Sequence, residues 1–401
     1  MGGPLEGKRI VLGVSGGIAA YKAVDVCRRL VDAGAHVVPV LTEGALKFVG
    51  RTTFDALGSE KAHTSLWEDE SPIPHTRLGQ TADVVLVAPA TARVLGLYAH
   101  GISEDLLTNV LIATRAPVVV APAMHTEMWE HAATRENVAL LKQRGVHVVE
   151  PATGRLAGGD EGAGRLAEPA DIVVAVERVL GPRDLDGLGV LVTAGGTREP
   201  IDPVRYLSNR SSGKQGHALA DEAAARGADV TLVTTVDRAV APGIDVVRVE
   251  TAAEMEDAVL SRSDAADVIL MAAAVADFRP KATADEKLKK ADGPPEIVLE
   301  PTTDILAELG KRRRPGQTIV GFAAETQRLR DHAADKLARK GIDLIVANDV
   351  SAPDAGFAHD TNRAVILDAE GRSLDVPLSD KRDVARSVLD AVARRRSNPE
   401  P

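Results

Sequence analysis

A chain of 401 residues with a formal net charge of −10 is long enough for two ordinary domains. It lacks the basic balance that a nucleic-acid partner demands, although small anionic substrates need only a local positive pocket. Hydrophobic residues at 44%, charged residues at 26% and aromatics at only 2% describe a globular protein whose cores are built from Val, Ile, Leu and Ala. One cysteine, Cys27, excludes a disulfide framework or a thiolate metal site. No apolar run reaches the ~18 residues of a membrane span. The first apolar stretch is short and interrupted by Gly, so it reads as a strand and not a signal peptide. The expectation is a cytoplasmic protein with neither a membrane nor a nucleic-acid partner.

From the N-terminus, a β-branched run at residues 9–14 (RIVLGV) is followed by Ser15, Gly16 and Gly17. A stretch with apolar residues at helical spacing comes next and ends on Gly34, a C-cap residue. Further strands are expected at residues 36–41, 83–88, 117–121 and 146–149. Continuous apolar strands alternating with helices predict a parallel sheet covered on both faces. Ligands of such sheets bind beyond the carboxyl ends of the strands, where SGG, TEGA (opening on Thr42), APATA and APAMH all fall. Residues 181–189 (GPRDLDGLG) read as a linker. The pattern then restarts with GVLVTAGGTREP, DVTLVTTV, DVILMAAAVAD, TIVGFAAET, DLIVANDV and AVILD, a second parallel α/β domain. The expected division is 1–182 and 187–396, with no short-period repeat.

Ser15, Gly16 and Gly17 lie where a glycine lets the backbone approach a ligand and a helix N-terminus offers N–H groups to a phosphate. A tight βα turn without a ligand reads equally well, and the loop falls short of the GxGxxG of a dinucleotide site. Pro89, Ala90, Thr91 and Ala92, and likewise Pro122, Ala123 and Met124, end buried strands with small residues. These leave room for a flat ring, or reflect crowding at strand ends. His75 sits in a polar loop, SPIPHTRLGQ, as a candidate base or anion binder near neutral pH or as an ordinary solvated histidine.

GVSGGIAAYK, His75, LVAPATA, DLLTN at 105–109 and APAMHTEMW at 121–129 together resemble the flavin-containing cysteine decarboxylases, closest to those acting on 4′-phosphopantothenoylcysteine. The resemblance covers residues 8–180 and implies a flavodoxin-like fold. It implies bound FMN, with its phosphate near Ser15, Gly16 and Gly17 and its ring near residues 88–92; Thr42, Pro89, Ala90, Thr91 and Thr108 belong to the cofactor-binding set. It also implies oxidation of the thiol-bearing carbon to a thioaldehyde, loss of CO2 and re-reduction to 4′-phosphopantetheine, with His75 catalytic. Substrate-binding positions carried over are Met124, His125, Met128, Trp129, Gly158 and Arg165. Two of them depart from the family pattern. His125 replaces the Asn of PxMNxxMW, where an imidazole still donates to a carboxylate. Gly158 replaces the proton-donating Cys of the lid ACGDxGxGR, here AGGDEGAGR, so water, Asp160 or Glu161 must donate instead.

In the second half, TAGGTREP follows a strand, and DPVRYLSNRSSGKQG forms a long donor-rich loop, a length that usually signals function. AAAVAD ends another strand on Asp277. KLKK at 287–290 is a solvated charge run or a mobile polyphosphate-closing loop. This ordered set, with GFAAET and ANDVS, resembles the phosphopantothenate–cysteine ligases over residues 187–395, with a Rossmann-like fold. The resemblance implies activation of the phosphopantothenate carboxylate by CTP, with Mg2+, as an acyl-cytidylate that the cysteine amine then attacks. Asn209, Arg205 and Lys289 carry over as catalytic. Gly195, Gly196, Ala273, Ala274, Asp277, Lys289, Asp304, Ile305, Phe322, Lys336 and Lys340 carry over as nucleotide-binding. Phe322 otherwise reads as core, and Lys336 and Lys340 as an exposed helical face. Thr302 and Thr303 stand where the family has Asn-Pro. The metal ligands are left open.

The leading reading is therefore a fused enzyme of coenzyme A biosynthesis, acting on phosphopantothenate, cysteine and CTP. The resemblance implies a homo-oligomer, with trimers through the first domain and dimers through the second that combine into a dodecamer. The alternatives are a ligase whose flavoprotein half no longer completes decarboxylation, a non-catalytic flavoprotein regulator and a nicotinamide dehydrogenase.

Overall fold

The computed structural model describes residues 3–67, 72–156, 159, 161–241, 243–289, 295–325, 329–349 and 359–397. The chain divides into two compact units, Met1–Gly181 and Pro182–Pro401. The first runs β1 (Arg9–Val14), α1 (Ala20–Asp32), β2 (His36–Leu41), α2 (Arg51–Leu57), α3 (Pro74–Thr81), β3 (Val84–Ala90), α4 (Ala92–Ala99) and α5 (Leu106–Ala113). It continues through β4 (Val118–Pro122), α6 (Thr126–Glu130), α7 (Ala132–Gln143), β5 (His147–Val148), β6 (Ala152–Arg155), β7 (Glu161–Arg165) and α8 (Pro169–Leu180).

Five of these strands form a parallel sheet in the order β2-β1-β3-β4-β5. Every residue of β3 is buried, as a central strand covered on both faces must be. On one face, α1 packs its buried stripe of Ala20, Ala23, Val26, Cys27 and Leu30, spaced three and four residues apart as a helix requires. With α8 it encloses the core around Leu12, Leu86 and Val176. The other face packs Leu107, Val110 and Val138 against Val85 and Val120.

The second unit contains β8 (Gly189–Ala194), β9 (Arg198–Pro200), β10 (Tyr206–Ser208), α9 (Lys214–Ala225), β11 (Asp229–Thr234), β12 (Asp245–Arg248), α10 (Ala252–Ser263), β13 (Val268–Met271), β14 (Phe278–Pro280) and β15 (Leu299–Pro301). Then follow α11 (Ile305–Arg312), β16 (Thr318–Glu325), α12 (Leu329–Lys340), β17 (Leu344–Asp349), β18 (Thr361–Asp368), β19 (Ser373–Asp380) and α13 (Lys381–Ser397). Its main sheet has the order β12-β11-β8-β13-β16-β17-β18-β19. It is parallel through β17 and ends in an antiparallel hairpin of β18 and β19. The fold is thus α/β in both units, with mainly parallel sheets. α9 and α13 cover one face and α10, α11 and α12 the other.

Three sequence expectations change. Strands β3 and β4 run past the expected ends at residues 88 and 121, to Ala90 and Pro122. The stretch read as a linker is anchored: Leu185 is fully buried in the second core and its N–H donates to Arg226 O at 3.3 Å. His75 lies not in a loop but in the first turn of α3, because Pro74 supplies the fixed φ suited to a first helical position, and Pro74 and Leu78, four residues apart, are both buried.

Candidate functional sites

Each main sheet reverses its winding once, between β1 and β3 in the first unit and between β8 and β13 in the second. Crevices at such reversals, beyond the carboxyl ends of the strands, are where open α/β sheets bind ligands.

At the first reversal, the buried Ser15 hydroxyl donates to Pro89 O at 2.7 Å and lies 3.1 Å from Thr91 Oγ1, while Thr91 N donates to Ser15 Oγ at 3.0 Å. The loops after β1 and β3 are therefore joined directly. Thr42 completes the group: its N–H donates to Val14 O at 3.1 Å and its Oγ1 accepts from Ala45 N at 3.2 Å. Gly16 is required here. A Cβ on it would stand 2.5 Å from the carbonyl carbon and 2.7 Å from the Cα of Gly44, both backbone atoms with nowhere to swing. Gly17 is looser, its nearest neighbour being Thr91 Cγ2 at 3.6 Å. The structure thus brings Ser15, Gly16, Gly17, Thr42, Ala90 and Thr91 together. Thr108 is fully buried and closes a capping box with Asp105 at the start of α5, its hydroxyl donating at 2.8 Å to Asp105 Oδ1.

The β6–β7 hairpin meets the strand end after β4, where Met124 N donates to Gly164 O at 2.9 Å. A Cβ at Gly164, whose φ is +134°, would stand 2.3 Å from Met124 O. His125 begins α6 and engages the Glu127 carboxylate through Nδ1, which holds Glu127 below the usual carboxylate range. Trp129 and Met124 pack on the core while Met128 is exposed. Arg165 pairs with Glu168. Gly158 and Asp160 lie outside the described residues. His75 is half-buried, with its Nδ1 enclosed and without a hydrogen-bond partner.

At the second reversal lies a cavity of about 710 Å3. Its walls carry Ala273, Ala274, Asp277, Asp304, Ile305, Phe322, Lys336, Lys340 and Asn209, all expected from the sequence. Gly195 and Gly196 stand behind this wall: Ala274 N donates to Gly195 O at 2.8 Å, and Gly196 bridges to Ala274. Asn209 Nδ2 donates to Ala274 O and Val275 O, both at 3.2 Å. Asp304 caps α11 by accepting from Ala307 N at 3.0 Å and pairs with Lys340, while Lys336 Nζ donates to Phe322 O at 3.3 Å. Lys336 and Lys340 therefore face the cavity and not open solvent. Thr302 and Thr303 line it too, with Thr302 N donating to Asp277 O at 3.0 Å.

Arg205 and Lys289 are not on the cavity wall. Arg205 is drawn to the buried Asp202, donating from Nε to Oδ2 at 2.9 Å, and holds that carboxyl well below the usual range. Wall residues that received no role from the sequence include Arg210, Lys214, Asn348, Asn362 and Lys381. Lys214 and Asn348 lie inside recognised motifs and end loops or strands at the crevice. Lys381 carried no signal, because the antiparallel β18–β19 hairpin that delivers it is foreign to a Rossmann pattern. Burial, with Lys214 close by, pushes the Lys381 ammonium down to about 8. Among charged residues on the wall, Arg210, Lys214, Lys336, Lys340 and Lys381 outnumber Asp277 and Asp304. The lining is therefore net basic, although Lys214 pairs with Asp360 at 2.6 Å and Lys340 with Asp304.

Comparison with known proteins agrees with this division. A family model described as Flavoprotein matches residues 2–181, and one described as DNA/pantothenate metabolism flavoprotein C-terminal domain matches residues 185–395. The chain is 49% identical over 402 residues to the Coenzyme A biosynthesis bifunctional protein CoaBC of Mycobacterium tuberculosis (strain ATCC 25618 / H37Rv), covering 96% of each chain. It is 44% identical over 396 residues to the protein of the same name from Bacillus subtilis (strain 168), covering 97% of each. The chain belongs to the family of bifunctional coenzyme A biosynthesis proteins, its N-terminal unit a flavoprotein and its C-terminal unit a pantothenate-metabolism domain.

Proposed function

We propose that the C-terminal unit couples 4′-phosphopantothenate to cysteine with CTP, and that the N-terminal unit decarboxylates the product to 4′-phosphopantetheine with FMN. The carrying observation is the cationic cavity at the β8/β13 reversal. Its size is that of a small-molecule site, and its five basic side chains against two acidic ones suit a nucleoside triphosphate meeting a phosphorylated acid. In this reading Lys336, Lys340, Lys214 and Lys381 neutralise phosphates. Asp277, Ile305 and Phe322, with Ala273 and Ala274, hold the nucleoside. Asn209, oriented by two carbonyls, binds the acyl-cytidylate as the cysteine amine displaces CMP, and Lys289 serves its formation. Among the described residues no group of three or more His, Cys, Asp or Glu side chains is arranged to hold a metal ion. Magnesium would enter bound to the triphosphate, whose charge it neutralises.

The Ser15–Thr91 junction fits a single phosphate, because glycine backbone and the start of α1 face the reversal. That supports FMN over a dinucleotide, with Thr42, Pro89 and Ala90 beside it. When bound, FMN supplies the two-electron oxidation and the re-reduction of the substrate. The chain supplies the rest: His75 as the proton-handling group, and His125 with Met124, Met128, Trp129 and Arg165 around the substrate. Self-association, through trimers of the first unit and dimers of the second, belongs to the same proposal. It is supported by exposed Ile18, Tyr21 and Phe48 in one unit and Val204, Tyr206 and Phe278 in the other. A cytoplasmic location also belongs to it; among the described residues no helix is long and apolar enough to cross a membrane.

Half-reactions separate the two activities. Phosphopantothenate and CTP with Mg2+ but no cysteine should release pyrophosphate, and phosphopantothenoylcysteine supplied anaerobically should release CO2. Pyrophosphate without CO2 would leave only the ligase, and neither would overturn the proposal.

A further inference from the structure

Two short antiparallel arms are rooted in the nucleotide cavity. The first pairs β9 with β10 and leads into Asn209; the second pairs β14 with β15, beginning beside Asp277 and returning at Thr302. Asn209, Asp277 and Thr302 all line the cavity. The outer parts of the arms are fastened together by one carboxylate. Asp202 lies at the tip of the first arm with its side chain fully enclosed. Its Oδ1 accepts from Val204 N and Arg205 N, both at 2.8 Å, and so shapes its own turn. Its Oδ2 accepts from Arg205 Nε at 2.9 Å and, across the gap, from Leu288 N at 3.2 Å. Arg205 Nη2 in turn donates to Leu288 O at 2.9 Å. Two lesser ties run alongside: Ala284 N to Ile201 O at 3.0 Å and Thr283 Oγ1 to Pro200 O at 3.1 Å.

We propose that Asp202 is a positioning residue of the ligase, latching the arm that leads to Asn209 onto the backbone immediately before Lys289. The division of labour between its oxygens separates this role from that of a simple turn-former, for which Oδ1 alone suffices. Oδ2 is spent on the other arm, both directly and through Arg205. A charged acceptor makes the stronger bond to each donor, and the paired guanidinium keeps Asp202 ionised. Arg205 then acts as a strut between Asp202 and Leu288. The proposal rests on the reading that Lys289 serves acyl-cytidylate formation.

The test uses the full chain with Asp202→Asn. Its Oδ1 still accepts the two turn N–H groups, but its Nδ2 donates and cannot accept from Leu288 or Arg205. Native-state trypsin cleavage after Lys287 and Lys289, mapped by mass, is expected to rise at least tenfold. Pyrophosphate release from phosphopantothenate and CTP is expected to fall at least tenfold, while decarboxylation of supplied phosphopantothenoylcysteine by the same chain stays unchanged and tryptic cleavage elsewhere in residues 182–401 stays at the wild-type rate, which reports that the second unit is folded. Asp202→Asn/Lys289→Ala should release pyrophosphate no more slowly than Lys289→Ala alone. Thr283→Val, which cuts only the outer tie, should move proteolysis the same way by less, and serves if Asp202→Asn does not fold. Wild-type proteolysis and turnover in Asp202→Asn beside a slowed Lys289→Ala would overturn the latch alone, as would additive losses in the double variant. Wild-type pyrophosphate release by Lys289→Ala would remove the reading of Lys289 and the proposal with it.

Discussion

Replacing Gly16 by Ala tests the flavin site at its tightest point. The added methyl carbon would sit 2.5 Å from the Gly44 carbonyl carbon and 2.8 Å from its oxygen, against the 3.5–4.0 Å at which carbon atoms rest. About 1 Å of separation must therefore be found between two backbone segments, and no side chain can rotate away. Neither segment yields easily. The Gly16 loop is tied through Ser15 to Pro89 and Thr91, and the Gly44 turn is capped by Thr42 over the buried Ala45. Overpacking of this kind costs about 1–3 kcal/mol, which corresponds to a roughly 5- to 150-fold loss of flavin affinity if it falls wholly on the preformed site. Purified Gly16→Ala should carry visibly less flavin per chain, and apoprotein titrated with FMN should show the weakened binding directly. Gly17→Ala is the control for folding: with its nearest neighbour at 3.6 Å it should keep the wild-type melting temperature. Full flavin content and unchanged FMN affinity in Gly16→Ala would refute the placement of the cofactor against this loop.

Two further outcomes follow from side-chain environment. Burial depresses the Lys381 ammonium to about 8, so in the folded protein it is charged below that pH and is discharged as pH rises through it, well before an ordinary lysine near 10.4. CTP affinity should therefore weaken between pH 7 and 9.5, by roughly fivefold for about 1 kcal/mol of lost charge interaction. Lys381→Gln should bind more weakly at pH 7 and lose this pH dependence; calorimetric titration reads both, and a parallel slope in the variant would contradict the assignment. Cys27 is buried in α1 and its thiol is pushed up to about 11, which at pH 8 leaves more than about a hundredfold less thiolate than a free cysteine. The native protein should resist iodoacetamide at pH 8 and react only once unfolded, as mass spectrometry would record; rapid native labelling would mean that α1 opens.

Much of the fold was legible because its strands are continuous apolar runs and its loops are small residues at strand ends. That rule alone located Ser15, Gly16 and Gly17 and the cavity residues Ala273, Ala274 and Asp277. Which loops meet was not legible, since it depends on strand order: Ser15 touches Thr91, 76 residues away, only because β1 and β3 are neighbours. His75 was misread as a loop residue because proline signals a break as readily as a helix start. The arms formed by β9, β10, β14 and β15 are three residues per strand, too short for any periodicity to show. Arg205 was recognised by its motif, but its partner Asp202, three residues earlier, becomes visible only when the turn is folded. Lys381 enters the cavity through a hairpin that no α/β pattern predicts.

The most direct measurement supplies the purified protein with phosphopantothenate, cysteine, CTP and Mg2+ and identifies the products by mass. Conversion to 4′-phosphopantetheine, with one CO2 and one pyrophosphate per turnover, is the predicted result. Accumulation of phosphopantothenoylcysteine would contradict the decarboxylase half, and unchanged phosphopantothenate with intact CTP would contradict the ligase half.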